Sequence, residues 1–148
     1  MLDRALELNP KTPIVYSQAA LHYAMLDPNR SIALAKQGLA LDPKHPAYFP
    51  SNLARAYFVK GDYQASVDWG TRCANENADF DYCYEVLAWS YAMLGKQDLA
   101  RSAGAELLRR MPRYRTAAEN PLPADAWPLL IDVNRRIYVA ARVAGIPE

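Results

Sequence analysis

Apolar residues recur at spacings of three and four along most of the chain, as in Tyr16, Ala19, Ala20, Tyr23 and Leu26, and again in Tyr84, Leu87, Ala88, Tyr91 and Leu94. That spacing keeps one face of an α-helix apolar, so the pattern predicts helices. The breaks between the runs carry starting and stopping residues: Thr12 before Pro13 and Asp27 before Pro28 set a capping oxygen ahead of a proline at the first helical position. Helices are predicted at 13–26, 28–41, 48–60, 62–76, 81–94 and 96–110. Pro50 lacks a donor and would clash inside a helix, so the third of these is expected to start late, near Pro50 itself. Asp79 and Asp81 read as caps of the helix that follows them.

The runs repeat. Tyr23, Tyr57 and Tyr91 stand 34 apart, as do Ala20, Ala54 and Ala88, while Ala19, Leu53 and Leu87 keep the step with apolar residues. A second set is spaced 35 and then 34: Ser31, Ser66 and Ala100, with Gly38, Cys73 and Leu107 and then Pro43, Ala78 and Pro112. The first copy has therefore lost one residue, in the turn, where Asp27-Pro28-Asn29 replaces the Gly61 and Gly95 turns of the other copies. A fixed period of this length is the mark of a solenoid, in which each helix–turn–helix unit buries its apolar face only against its neighbours.

On these residues the chain resembles the tetratricopeptide repeats. The third copy supplies Tyr84, Leu87, Ala88, Tyr91, Gly95, Ala100 and Pro112 at the pattern's positions; the second departs at Pro50 and Ala78, and the first lacks its turn glycine. The small-then-aromatic pair has a physical basis, since the alanines let two helices approach and the tyrosines fill the wider gap one turn later. The resemblance implies an all-α, right-handed solenoid of three repeats, 12–45, 46–80 and 81–114.

Two further pieces flank the array. Ala5, Leu6, Leu8 and Pro10 repeat the pattern of residues 38–43, so residues 1–11 read as the second helix of an earlier repeat or as a short N-terminal capping helix. The former reading expects a longer natural protein. Residues 115–123, with Pro121 and Pro123, read as a linker. Trp127, Leu130, Ile131, Ile137, Tyr138 and Ala141 then recur at helical spacing until Gly145 and Pro147, giving a last helix within 124–148. It either caps the third repeat or, on so long a connection, lies in the concave groove.

Composition narrows the function. Of 148 residues 51% are hydrophobic and 22% charged, which excludes a disordered chain, and a net charge of +1 gives no global attraction to nucleic acid or to an anionic membrane. No apolar run approaches the roughly 20 residues of a membrane span. Residues 1–108 carry ten basic and twelve acidic side chains, and residues 109–148 carry seven and four. Arg109, Arg110, Arg113 and Arg115 are expected to be solvated at a helix end, where the dipole favours cations. His22 and His45 are isolated, and no zinc, nucleophile-elbow, phosphate-loop or dinucleotide motif occurs. No catalysis, cofactor or metal is expected. Cys73 and Cys83, ten apart, have no metal spacing and read as buried thiols; as neighbouring segments of a stacked array they could also pair. Without an oxidising signal the chain is expected in the cytoplasm, or in the periplasm if it belongs to a longer exported chain.

Binding to a protein or peptide is the class that remains. The resemblance implies that first helices line the concave side, with Ile14, Ser17, Leu21 and Met25, then Tyr48, Ser51, Asn52, Arg55 and Phe58, then Tyr82, Glu85, Trp89 and Met93. Of these, Leu21, Met25, Tyr48, Asn52, Arg55, Phe58, Tyr82, Glu85, Trp89 and Met93 are the expected partner contacts, with Trp89 as the anchor unless the last helix covers it. The branch of the family that clamps chaperone C-terminal carboxylates uses Lys, Asn and Arg at positions where this chain has Ser17, Leu21, Tyr82 and Val86, with Asn52 alone matching, so a more apolar or mixed segment is expected. The ending 107–112 together with 142–148 is similar to the C-termini of bacterial signalling proteins that join such repeats to an adenylate cyclase or a winged-helix regulator. The alternative function is a scaffold or homodimer formed through Leu2, Leu6 and Leu8.

Overall fold

A computed structural model of the chain describes residues 2–46, 48–77 and 79–148. The described residues form helices α1 (Leu2–Leu8), α2 (Pro13–Tyr23), α3 (Pro28–Leu41), α4 (Tyr48–Lys60), α5 (Tyr63–Glu76), α6 (Tyr82–Met93), α7 (Gln97–Arg110), α8 (Thr116–Glu119) and α9 (Pro128–Val143). The all-helical solenoid is as expected: α2 pairs with α3, α4 with α5 and α6 with α7, and each pair stacks on the next through α3 on α4 and α5 on α6. Ala78, the second copy's closing position, lies outside the described residues, as does the side chain of Leu2.

The repeat residues do what their spacing implies. Ala20, Ala54 and Ala88 are fully buried where the paired helices meet. Ser31 and Ser66 each donate from the second helix to the first, to the carbonyls of Ala20 and Ala54 at 2.7 Å. Ala100, the third member of that set, closes the position with a methyl group. Gly61 and Gly95 turn the chain with φ of +88° and +73°, a region costly for any residue with a Cβ. The shortened first turn instead uses Asp27, whose side chain accepts from the Arg30 N–H at 3.1 Å.

Three local expectations are corrected. Helix α4 begins at Tyr48, two residues before Pro50, because a proline in the first turn gives up only a donor that has no intrahelical acceptor. Neither Thr12 nor Asp81 caps with its side chain; Asp81 instead pairs with Arg110 at 3.4 Å. Nor are all the terminal arginines merely solvated, for Arg109 and Arg110 both grip Glu106, at 2.7 and 2.6 Å.

A fourth correction concerns the cysteines. Cys73, in the last turn of α5, and Cys83, in the first turn of α6, are joined as a disulfide with Cα atoms 5.7 Å apart, and both are fully buried. The stack brings the end of one helix beside the start of the next, so residues separated by a turn become covalent partners.

Helix α9 decides the shape of the inner face. It packs chiefly on α6 and less on α7, whereas α6 stacks on the second helix of the pair before it. Its C-terminal end presses on α7 so closely that a Cβ at Gly104 would fall 2.3 Å from the Ala144 carbonyl oxygen. At its other end the Trp127 indole donates to the Met25 carbonyl, just beyond α2, at 3.0 Å. The helix therefore crosses the concave side from the third pair to the first. The connection before it is not a bare linker: α8 lies within it, and Thr116 donates through both its N–H and its hydroxyl to the Pro147 carbonyl, each at 3.0 Å.

Candidate functional site

The first helices α2, α4 and α6 line one face, and α9 divides that face in two. Towards their C-terminal ends the groove is filled. Phe58 and Trp89 are completely buried with ring centroids 5.6 Å apart, in one core with Val133, Ile137, Ala140 and Ala141 of α9. Met25 and Met93 are partly buried against the same core. Trp89 is thus not an exposed anchor, and Phe58 is closed off with it. The physical reason is that α9 carries an apolar stripe and buries it against the aromatic inner wall. The Trp89 indole N–H finds no acceptor among the described residues.

Towards the N-terminal parts of α4 and α6, facing the last turn of α2, the groove stays open. A cavity of about 340 Å³ remains, lined by Leu21 from α2, Tyr48, Ser51, Asn52 and Arg55 from α4, and Tyr82, Glu85 and Val86 from α6, with Phe80 and Glu119 closing it. Six of the ten expected contact residues, Leu21, Tyr48, Asn52, Arg55, Tyr82 and Glu85, therefore share one pocket. Leu21 and Tyr82 are exposed and Tyr48 half-buried, so apolar surface is offered at its mouth.

The polar residues of this pocket are braced from behind. Glu85 is only 1% exposed; one carboxylate oxygen accepts from Arg55 at 2.7 Å and the other from the Tyr114 hydroxyl. Burial first, and then the Glu85 carboxylate, push the Tyr114 phenol far above its ordinary range, so it serves as a permanent donor. Arg55 also lies over the Trp89 ring, 5.4 Å from its centroid, which ties the open half of the groove to the filled half. Asn52 donates to the Ser17 hydroxyl at 3.1 Å and so bridges α4 to α2. At the rim the Tyr82 hydroxyl donates to Glu119 at 3.2 Å, and burial followed by the Glu119 charge raises its pKa. The Tyr48 pKa is raised by burial and by Asp42.

Phe80 and Glu119 were not among the expected residues. Phe80 stands as a lone aromatic between Asp79 and Asp81 in a polar turn, which is a readable signal of a covered side chain. Glu119 lies in the segment expected to be a linker, where Thr116-Ala117-Ala118-Glu119 is a run of helix-compatible residues too short to mark a helix on its own. Among the described residues no group of three or more His, Cys, Asp or Glu side chains is placed to hold a metal ion. No helix there is long and apolar enough to cross a membrane.

No family model matches the chain, and no curated protein matches it. Solved structures do. The first tetratricopeptide-repeat domain of Spaghetti (RPAP3), bound to the HSP90 peptide SRMEEVD, is similar over 88% of this chain and 94% of its own, with 17% identity and a TM-score of 0.66. MamA is similar over 97% of this chain and 81% of its own, with 20% identity and a TM-score of 0.69. PilW, a type IV pilus biogenesis factor, matches 97% of this chain at 16% identity and a TM-score of 0.71, and the match spans 63% of PilW. At such identities the likeness establishes the fold, a tetratricopeptide-repeat solenoid.

Proposed function

We propose that the chain is a non-catalytic protein-interaction module that receives a partner segment in the open half of its inner groove. The observation that carries this reading is the pocket: three first helices present Leu21, Tyr48 and Tyr82 to solvent around a braced polar floor, on the face that the chain's own α9 covers elsewhere. A fold that fills part of a groove and leaves a rimmed apolar remainder has the form of a docking site. The RPAP3 domain binds a peptide on the same fold, which supports the class of function.

Selection of displayed random dodecapeptides tests it. Peptides enriched by the wild type are expected to lose binding to Ser51→Tyr, which fills the pocket, and to keep it with Leu99→Ala, at an exposed site outside it. Enrichment indifferent to Ser51→Tyr overturns the proposal.

A second reading, self-association through the N-terminal edge, is favoured by Leu8, which is 64% exposed. Leu6 packs on the α2–α3 core, so Leu8→Glu is the cleaner probe. A dimer in sedimentation that this variant abolishes would support the reading; a strict monomer removes it. The signalling context rests on the terminal motif alone. The buried disulfide supports an oxidising compartment in place of the cytoplasm.

A further inference from the structure

We infer that the open pocket takes a basic side chain, arginine or lysine, presented by the partner segment; the inference rests on the groove reading above and names the chemistry of its occupant.

Among the lining residues one guanidinium, Arg55, faces two carboxylates, Glu85 and Glu119. These charges are not equivalent. Arg55 is committed to Glu85, which is buried and has no other basic partner among the described residues. Turning Arg55 towards a guest would strand that charge in a medium that cannot solvate it. Glu119 is exposed, has no basic partner among the described residues, and accepts only the Tyr82 hydroxyl. The pocket's one uncommitted charge is therefore negative.

Its walls fit the same guest. Phe80 and Tyr82 stand 5.9 Å apart with ring planes inclined at 55°, beside Glu119, while Tyr48 and Leu21 come from the neighbouring helices. Aromatic faces attract a cation, and the alkyl stem of a basic residue covers apolar wall while its head reaches the carboxylate. An acidic guest would face Glu119 with Arg55 already engaged. A purely apolar guest would strip water from Glu119 and return no donor. The acidic peptide carried by the RPAP3 domain is thus the opposite of what this pocket suits.

The test compares one peptide selected from the dodecapeptide library with its citrulline or norleucine counterpart at the basic position, and follows Leu21, Tyr48 and Tyr82 resonances. We expect the selected peptides to share an Arg or Lys, and the neutral counterpart to bind about tenfold more weakly. Glu119→Gln should bring the two peptides to within about twofold of one another. Peptides that move the pocket resonances but share no basic residue, or bind equally well when neutralised, overturn the inference and leave the groove reading standing. Peptides that bind without moving those resonances, or a library that yields no binder, overturn both.

Discussion

The guanidinium of Arg136 on α9 donates to the backbone carbonyl of Phe58 at 2.9 Å, and its other terminal nitrogen reaches the Val59 carbonyl at the same distance. These are carbonyls at the C-terminal end of α4, where the helix has no N–H of its own to offer; the Phe58 carbonyl also accepts from the Gly61 N–H of the turn, at 3.0 Å. A side chain far along the sequence therefore completes α4, and the cation also suits the helix dipole. Arg136→Ala is expected to lower stability by about 2–3 kcal/mol, read as a lower urea midpoint at unchanged slope. Arg136→Lys should restore only part of that loss, because an ammonium cannot address two carbonyls as a planar fork does.

Trp89 separates a binding role from a structural one. As a fully buried ring it should cost about 3–5 kcal/mol when cut to alanine. Because its indole N–H is unpartnered, Trp89→Phe should be far milder, near 1–2 kcal/mol, with only volume lost. Thermal or urea unfolding of the two variants decides this; equal and small losses would mean that α9 does not seat on the ring.

The array was legible in the chain because its determinants are local and repeated. Tyr23, Tyr57 and Tyr91 announce themselves by spacing, and so do the glycines of the second and third turns. What α9 covers was not legible, since an amphipathic helix on a long connection shows that it will bury its stripe but not against which surface. Trp89 and Leu21 stand at equally groove-facing positions, yet one is sealed and the other exposed. Glu85, expected as a groove contact, is buried for a related reason. It is covered by Tyr114, the final residue of the last repeat, whose role appears only once the chain folds back.

The cysteine bridge spans the turn between the second and third repeats. Closing a loop of that size removes unfolded-state freedom worth about 2–3 kcal/mol at 25 °C. Melting with and without reductant should differ accordingly, and Cys73→Ala with Cys83→Ala together should resemble the reduced protein. An unchanged melting temperature would show that the thiols are not paired in solution.

Glu106, held by hydrogen bonds from Arg109 and then Arg110, has its pKa lowered from 4.5 to about 2. A carboxylate depressed on folding adds stability that is fully present above its unfolded value and disappears as pH falls through the folded one. The gap in stability between wild type and Glu106→Gln is therefore expected to be constant near neutrality and to close between about pH 4.5 and pH 2. Raising the salt concentration should shrink it too, since the pair is partly solvated. Acid titrations of both proteins, followed by circular dichroism, measure this directly.

Gly104 leaves room for nothing between α7 and the end of α9. Alanine there, ordinarily a gain inside a helix, should act as a wedge, levering the covering helix away from the inner wall. The sealing of Phe58 and Trp89 beneath α9 thus hangs on the absence of one methyl group on a helix that neither ring belongs to.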